Sequence, residues 1–418
     1  MSRIRTLSDL GDTDLRGRRL LVRVDYNVPL DASGAVTDSV RVDATLPSLR
    51  RLRDAGARTI LVSHLGRPDG NRDPSTSLRS VAALLSERLG VPVPLLDAAP
   101  GTPELLAAVE EISDGGVVLL ENIRFHTGET SNDPKFAEAL ADLADDFIGD
   151  AFGVAHRAQA SNVGVAEAIR ARGGFAVAGL LMAREIHYLR EVLREPERPF
   201  IAIMGGAKIS GKIDLIRAIL PKVDRLLIGG AMANTFLRAL GLETGDSLVE
   251  EDRVDLARQL LEEAGEKLLL PVDCVVAERI EAGVATRNMD RTALRPGDRI
   301  GDIGPDTREI FSREVARAGT VLWNGPMGVF ELLPFAGGTF DLAGVLADLA
   351  DSGGIVIVGG GDSASAAKAA GYATRMTHIS TGGGASLDLL AGEELPGVTV
   401  LETVPGRADR AETEAKVG

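Results

Sequence analysis

The stretch Gly354-Ile355-Val356-Ile357-Val358-Gly359-Gly360-Gly361-Asp362-Ser363 constrains the fold of this chain more than any other. Four β-branched residues in succession, with no polar alternation, predict a parallel strand buried on both faces, and three glycines end it abruptly. The Ala-rich segment that follows, up to Gly371, predicts a helix. A glycine turn between strand end and helix start leaves backbone N–H groups pointing outward at the positive end of the helix dipole, which favours a phosphate. Asp362 is repelled by such an anion unless a cation lies between them, so Mg²⁺ bridging Asp362 to phosphates is one reading. Capping of the helix by Asp362 or Ser363 is the other. This stretch alone leaves both open.

The same unit of apolar strand, polar or glycine-rich turn and helix recurs along the chain. In the first half the strands are Leu20–Val24, Thr59–Ser63, Val117–Leu120 and Asp146–Gly149. Leucines at 46, 49 and 52, and apolar residues at 78, 81, 85 and 89, recur at helical spacing between them. Such a rhythm predicts an α/β fold with a parallel sheet wrapped by helices, in which ligands bind beyond the carboxyl ends of the strands. Each strand end carries its own signature: Asp25 and Asn27, then His64 and Arg67, then Arg124, then His156 and Arg157, with Arg41 placed just before a helix. Any one arginine could be a solvated surface charge. Four arginines and two histidines on one rim predict a pocket for a small, multiply anionic molecule.

The second half restarts at Phe200–Met204, which runs into Gly205-Gly206-Ala207-Lys208-Ile209-Ser210-Gly211-Lys212. Two lysines on a glycine-rich turn form a second phosphate cradle, although the spacing is not that of a Walker A loop. Further strands are expected at 225–228, 321–323 and 376–380, the last opening into Thr381-Gly382-Gly383-Gly384. Met182, Ile186, Leu189 and Leu193 mark a connecting helix, ended by Glu195-Pro196-Glu197-Arg198-Pro199. The resulting organisation is two Rossmann-like lobes joined by a connecting helix and hinge: residues 1–178, the helix 179–195, residues 196–403, and a flexible polar tail 404–418.

Composition sets the limits. The chain has 418 residues, 44% of them hydrophobic, enough for two lobes each burying its own core. A net charge of −15 argues against nucleic acid or an anionic membrane as partner, which makes the local basic clusters informative. The single cysteine, Cys274, sits in an apolar strand-like run and is expected in the core rather than as a nucleophile, and one cysteine permits no intrachain disulfide. No apolar run approaches the roughly 18 residues of a membrane span and the N-terminus lacks a signal-like apolar region, so a reducing cytoplasm is expected.

Eight long motifs, in one order, resemble the phosphoglycerate kinase family from about residue 5 to about 400: RVDYNVP (23–29), SHLGRP (63–68), ENIRFH (121–126), DAFGVAHRA (150–158), GGAKISGKI (205–213), VLWNGPMGVFE (321–331), GGGDS (359–363) and STGGGASL (380–387). The resemblance implies reversible, Mg-dependent phosphoryl transfer between 1,3-bisphosphoglycerate and ADP, giving 3-phosphoglycerate and ATP in glycolysis or gluconeogenesis, by a cytoplasmic monomer. It implies that the first lobe binds 3-phosphoglycerate through Asp25, Tyr26, Asn27, Arg41, His64, Leu65, Gly66, Arg67, Arg124 and Arg157. It implies that the second binds Mg-ATP or Mg-ADP through Lys208, Lys212, Glu331 on the ribose, and Gly360, Gly361, Asp362 and Ser363, with Asp362 on the metal. Arg41, Lys208 and Lys212 are the catalytic candidates. Substrates on separate lobes imply hinge closure. The transfer needs no general base, because the acceptor in the reverse direction is already a carboxylate.

The chain departs from the family pattern at Tyr26 for Phe, Gly211 for Asp, Gln159 for His, Asn234 for an aromatic residue, and Ile300 where a glycine ordinarily meets the nucleotide. The last two place nucleotide affinity and base preference in question. Two alternatives follow from the sequence: a non-catalytic nucleotide-binding paralogue, and a dinucleotide-dependent dehydrogenase using Gly359, Gly361 and Ala364. No acidic residue ends the strand near Ser380 to hold a ribose diol, which counts against the dehydrogenase.

Overall fold

A computed structural model of the chain describes residues 4–402, which form two compact units: residues 4–186 with 394–402, and residues 187–393. The predicted tail, 404–418, lies outside the described residues.

The first unit is built on six parallel strands, β1 (Arg19–Val24), β2 (Arg58–Val62), β3 (Leu95–Leu96), β4 (Val117–Leu120), β5 (Asp146–Asp150) and β6 (Ala176–Ala178), in the order β3-β4-β2-β1-β5-β6. Central β1 lies between β2 and β5, with Leu21 level with Ile60 and Phe147. Because β1 is covered on both faces, Leu20 to Val24 are all fully buried, which explains its unbroken apolar run apart from Arg23. Leu20, Val22 and Val24 join one core with Leu46, Leu49 and Leu52 of the helix Val40–Asp54, as the leucine spacing predicts. Arg41 is the second residue of that helix rather than a residue before it. The short helix Pro396–Thr399 also packs on this unit: the Gly397 N–H donates to the Ala155 carbonyl at 2.8 Å, and Arg170 donates to the carbonyls of Val400 and Glu402. The sequence reading had carried this segment with the second lobe.

In the second unit the strands are β7 (Phe200–Met204), β8 (Arg225–Ile228), β9 (Leu268–Leu269), β10 (Asp273–Ala277), β11 (Arg287–Asp290), β12 (Arg299–Ile303), β13 (Thr320–Asn324), β14 (Ile355–Val358) and β15 (His378–Ile379). Six of them make a parallel sheet in the order β15-β14-β13-β7-β8-β9. The IVIV run is β14, inside that sheet as its pattern predicts. The other three form an antiparallel sheet, β11-β10-β12, that the strand pattern did not announce. Its β11 carries Arg, Asn, Met and Asp, mostly exposed, so it offers no apolar period. The expected connecting helix 179–195 is α-helical over Leu180–Ile186 and π-helical over His187–Val192, and the boundary between the units falls at that change.

Candidate active site

In the first unit the residues after β1, β2 and β4 are tied together by a hydrogen-bond network. Arg41 Nη1 lies 2.9 Å from Asp25 Oδ2 and donates to the Asn27 carbonyl at 3.2 Å. The Asn27 side chain in turn accepts from the Gly66 N–H at 2.9 Å, and the Gly66 carbonyl accepts from Arg124 Nη1 at 2.7 Å. Beneath them, Asn122 donates to the carbonyls of Leu65 and Thr76 at 2.7 and 2.8 Å and accepts from the N–H groups of Leu65 and Arg124. Asn122 therefore fixes both loops at once, a role that its place in the ENIRFH motif does not reveal. A buried asparagine saturated by backbone partners has no signature beyond its position after a strand.

Arg67, Arg124 and Arg157 line one cavity of about 300 Å³ with Asp69, Thr130 and Gln159. Burial first, then the neighbouring Arg157 and Arg23, lower the Arg124 guanidinium to about 10, against the opposing pull of Glu129 and Asp25. His64 is 3% exposed, and burial followed by Arg23, Arg124, Arg41 and Arg157 pushes its imidazole well below its ordinary value. It is neutral at physiological pH. Its Nδ1 lies 3.4 Å from Arg23 Nη2 and 3.7 Å from Asp25 Oδ1, so His64 enters the site as a neutral imidazole rather than as a further cation. Two other expected binding residues turn inward. Tyr26 is fully buried, with its hydroxyl 2.9 Å from Thr45 Oγ1, and Leu65 is 4% exposed, so each offers only backbone.

The second unit's site is made mostly of backbone. Gly325 adopts φ +104° and a Cβ there would stand 2.3 Å from the Gly205 carbonyl oxygen, so the ends of β7 and β13 approach only because neither residue has a side chain. Lys212 Nζ sits at this junction, donating to the carbonyls of Gly205 and Asn324 at 2.7 and 2.8 Å. Burial lowers its ammonium to about 8, against the opposing pull of Asp362. After β14, Gly360 has φ +90° and precedes the helix Gly361–Ala369. Asp362, in the first turn, is exposed and caps nothing, and the Ser363 hydroxyl instead accepts from the Gly325 N–H at 2.6 Å. The capping alternative thus fails for both residues.

A cavity of about 380 Å³ extends from Asp362 to Glu331, lined between them by Gly206, Gly230, Asn234, Leu248, Ile300 and Met327 among others. Exposed Lys208 follows Ala207 at its margin. Ile300 reaches it from β12, where its N–H donates to Ser247 Oγ at 2.9 Å. Asp302, next but one along β12, is buried, and burial pushes its carboxyl up to about 7 even though it accepts from the Gly338 N–H at 2.6 Å. The motif drew notice in the sequence, but glycine and aspartate are poor strand residues, so its place in a sheet wall was not legible.

Two cavities of this kind, one ringed by arginines and one flanked by lysines and a free carboxylate, are what a transfer between two phosphorylated ligands requires. The phosphoglycerate kinase family model matches residues 10–393. The chain belongs to the phosphoglycerate kinase family. The phosphoglycerate kinase of Rubrobacter xylanophilus is 53% identical over 93% of this chain and 97% of its own length, and that of Chloroflexus aggregans is 52% identical over 94% and 98%. Among solved structures, phosphoglycerate kinase from Coxiella burnetii superposes with a TM-score of 0.85 at 38% identity, covering 96% of this chain and 99% of that one. The enzyme from Pyrococcus horikoshii gives 0.80 at 31%, covering 96% and 98%. The protein is accordingly a phosphotransferase of glycolytic type, and the dehydrogenase alternative falls away. Among the described residues no helix is long and apolar enough to cross a membrane.

Proposed function

We propose that the arginine cavity of the first unit takes the phosphate of 3-phosphoglycerate or 1,3-bisphosphoglycerate, with Arg67, Arg124 and Arg157 around it. The carboxyl or acyl-phosphate end lies toward Asp25, Asn27, His64 and Arg41. One observation carries this reading: three guanidinium groups share a cavity of about 300 Å³, an excess of positive charge that a small multiply anionic ligand would balance.

In the second unit the adenine and ribose occupy the cavity between Ile300 and Glu331, and the phosphates run past Gly360, Gly361 and Ser363 toward Lys208 and Lys212. Asp362 fits a magnesium ligand. It is an exposed carboxylate on a helix start, and among the described residues no three metal-binding side chains gather elsewhere. Mg²⁺ is ordinarily held by one or two carboxylates together with substrate phosphates and water. When bound it neutralises charge that accumulates on the transferred group. The chain's own contribution is positioning and charge: Lys212, with two protons committed to carbonyls, keeps a third for a phosphate oxygen. Arg41 can exchange Asp25 for the moving phosphoryl group, and backbone N–H groups at the helix start complete the neutralisation. The acceptor carboxylate needs no base. We also place the protein in the cytoplasm, a reducing compartment in keeping with a free, buried Cys274, and expect a monomer.

A coupled assay of ATP consumption with 3-phosphoglycerate tests the reading. Turnover that needs both substrates and Mg²⁺ is expected. Binding of nucleotide without turnover would make the chain a non-catalytic member of its family.

A further inference from the structure

The lysine-bearing loop Gly205–Lys212 is neither helix nor strand, and at its far end a side chain at Gly211 would meet open space. It is nonetheless held from outside. One carboxylate, Glu250, accepts three hydrogen bonds from adjacent loop residues: from the Ile209 N–H at 2.6 Å, the Ser210 N–H at 3.1 Å and the Ser210 hydroxyl at 2.5 Å. Burial raises the Glu250 carboxyl, but these donors, with Lys208 nearby, hold it below its ordinary value, so it is ionised at neutral pH.

Glu250 is itself fixed. Its N–H donates to Thr235 Oγ1 at 3.2 Å, and two residues earlier the Leu248 carbonyl accepts from Asn234 Nδ2 at 3.1 Å. The segment 246–250 is thus pinned to the helix Met232–Ala239 while Asp246, Ser247 and Leu248 line the nucleotide cavity. An acidic side chain beside a polyphosphate site repels the ligand and would be a net liability unless it did something the ligand needs.

We propose that Glu250 is a positioning residue for nucleotide phosphates. It clamps Ile209 and Ser210 so that Lys208 and Lys212, on either side of them, are presented together, and it joins this loop to the segment lining the cavity. The proposal rests on the nucleotide reading of that cavity. The two roles open to the charge predict opposite signs. Removing a merely repulsive carboxylate tightens nucleotide binding, in a way that salt abolishes. Removing a clamp weakens it, and salt leaves the loss in place because the Debye length at about 1 M is only ~3 Å.

The test is Glu250→Gln, Glu250→Asp and Ser210→Ala in the full chain, with calorimetric titration of Mg-ADP at low and high salt, steady-state kinetics and Tm. Glu250→Gln is expected to raise the Kd and KM for nucleotide about tenfold at both salt concentrations, leaving the KM for 3-phosphoglycerate unchanged, with partial recovery in Glu250→Asp. Ser210→Ala, which removes a single exposed contact, should raise them about threefold and answers the question if Glu250→Gln fails to fold. Tighter binding that salt erases, or a lowered Tm with unchanged nucleotide constants, overturns the proposal. If the unsubstituted chain binds no nucleotide, the reading of the cavity itself is wrong, a failure visible before any variant is made.

Discussion

On the reading proposed above, the two sites hold phosphates with different materials. In the first unit the work falls to side chains, each fixed by backbone: Arg124 on the Gly66 carbonyl, Arg41 on the Asn27 carbonyl and Asp25, and Asn122 across two loops. In the second it falls to backbone, with glycines letting strand ends approach and a single lysine seated on two carbonyls. The proposed ligands account for the difference. A small acid with two anionic ends offers little apolar surface, so charge must hold it, and fixed cations are the means. A nucleotide brings a base, a ribose and its own metal. Its site can therefore be larger, flanked by Ile300, Leu248 and Met327, and sparing in charge.

The sharpest way to break this contrast is Arg41, the first-unit cation with a partner it can exchange. If it meets the phosphoryl group during transfer, its contact strengthens as charge spreads over the equatorial oxygens. Arg41→Ala should then lower kcat by roughly 10³ to 10⁵, the range lost with an arginine finger. Lysine should restore only part, because it keeps the charge and loses the planar fork. Steady-state kinetics at saturating substrates decides it: a near-normal kcat with a raised KM would make Arg41 one more binding group.

Asp362→Asn and Arg157→Ala should separate the sites by ligand. Even a supporting contact to a metal is worth about 10- to 100-fold in affinity, so Asp362→Asn should weaken Mg-nucleotide binding by at least that much while calorimetry finds 3-phosphoglycerate binding intact. For Arg157→Ala the KM for 3-phosphoglycerate should rise by ~10-fold or somewhat more with kcat little changed, as expected of a phosphate held equally in ground and transition states. A parallel rise in the nucleotide KM would refute the division of ligands between the units.

The two regions also differed in how much of them could be read from sequence. Both parallel sheets announced themselves, because a strand buried on two faces is an apolar run, as Leu20 to Val22 and Ile355 to Val358 are. The gathering of Arg67, Arg124 and Arg157 around one cavity was legible only as a group, from their shared place after strand ends. What escaped were groups whose role lies in their partners. Asn122, Glu250 and Asp302 act on backbone N–H and carbonyl groups far away in sequence, and nothing local marks them. The charge state of His64 was not legible, because it depends first on burial and then on four arginines that only the fold assembles. The β11-β10-β12 sheet was missed because its outer strand is polar and its bulged register between Val275 and Val276 breaks any period.

That difference in charge state gives the smallest and most discriminating effect, a pH profile. Above pH 7 the substrate phosphates are already ionised, so changes belong to the protein. His64 is held well below its ordinary value and stays neutral throughout, so the KM for 3-phosphoglycerate should be flat from pH 7 to about 9. Lys212 is different: its ammonium, lowered to about 8 by burial, loses its proton within that range in the free enzyme. Because kcat/KM reports the free enzyme, its value for Mg-ATP should fall as pH rises through about 8, reaching a loss of roughly tenfold one pH unit above. Bound phosphates favour the ammonium, so kcat should hold to higher pH than kcat/KM does. Rates for both substrates between pH 7 and 9.5 suffice to see it. If nucleotide kcat/KM stays flat, Asp362 outweighs burial at Lys212. If instead the 3-phosphoglycerate term carries the pH dependence between pH 7 and 9, below the Arg124 value of about 10, the titrating group sits in the first unit, and the arginine cavity does not keep its charge across that range.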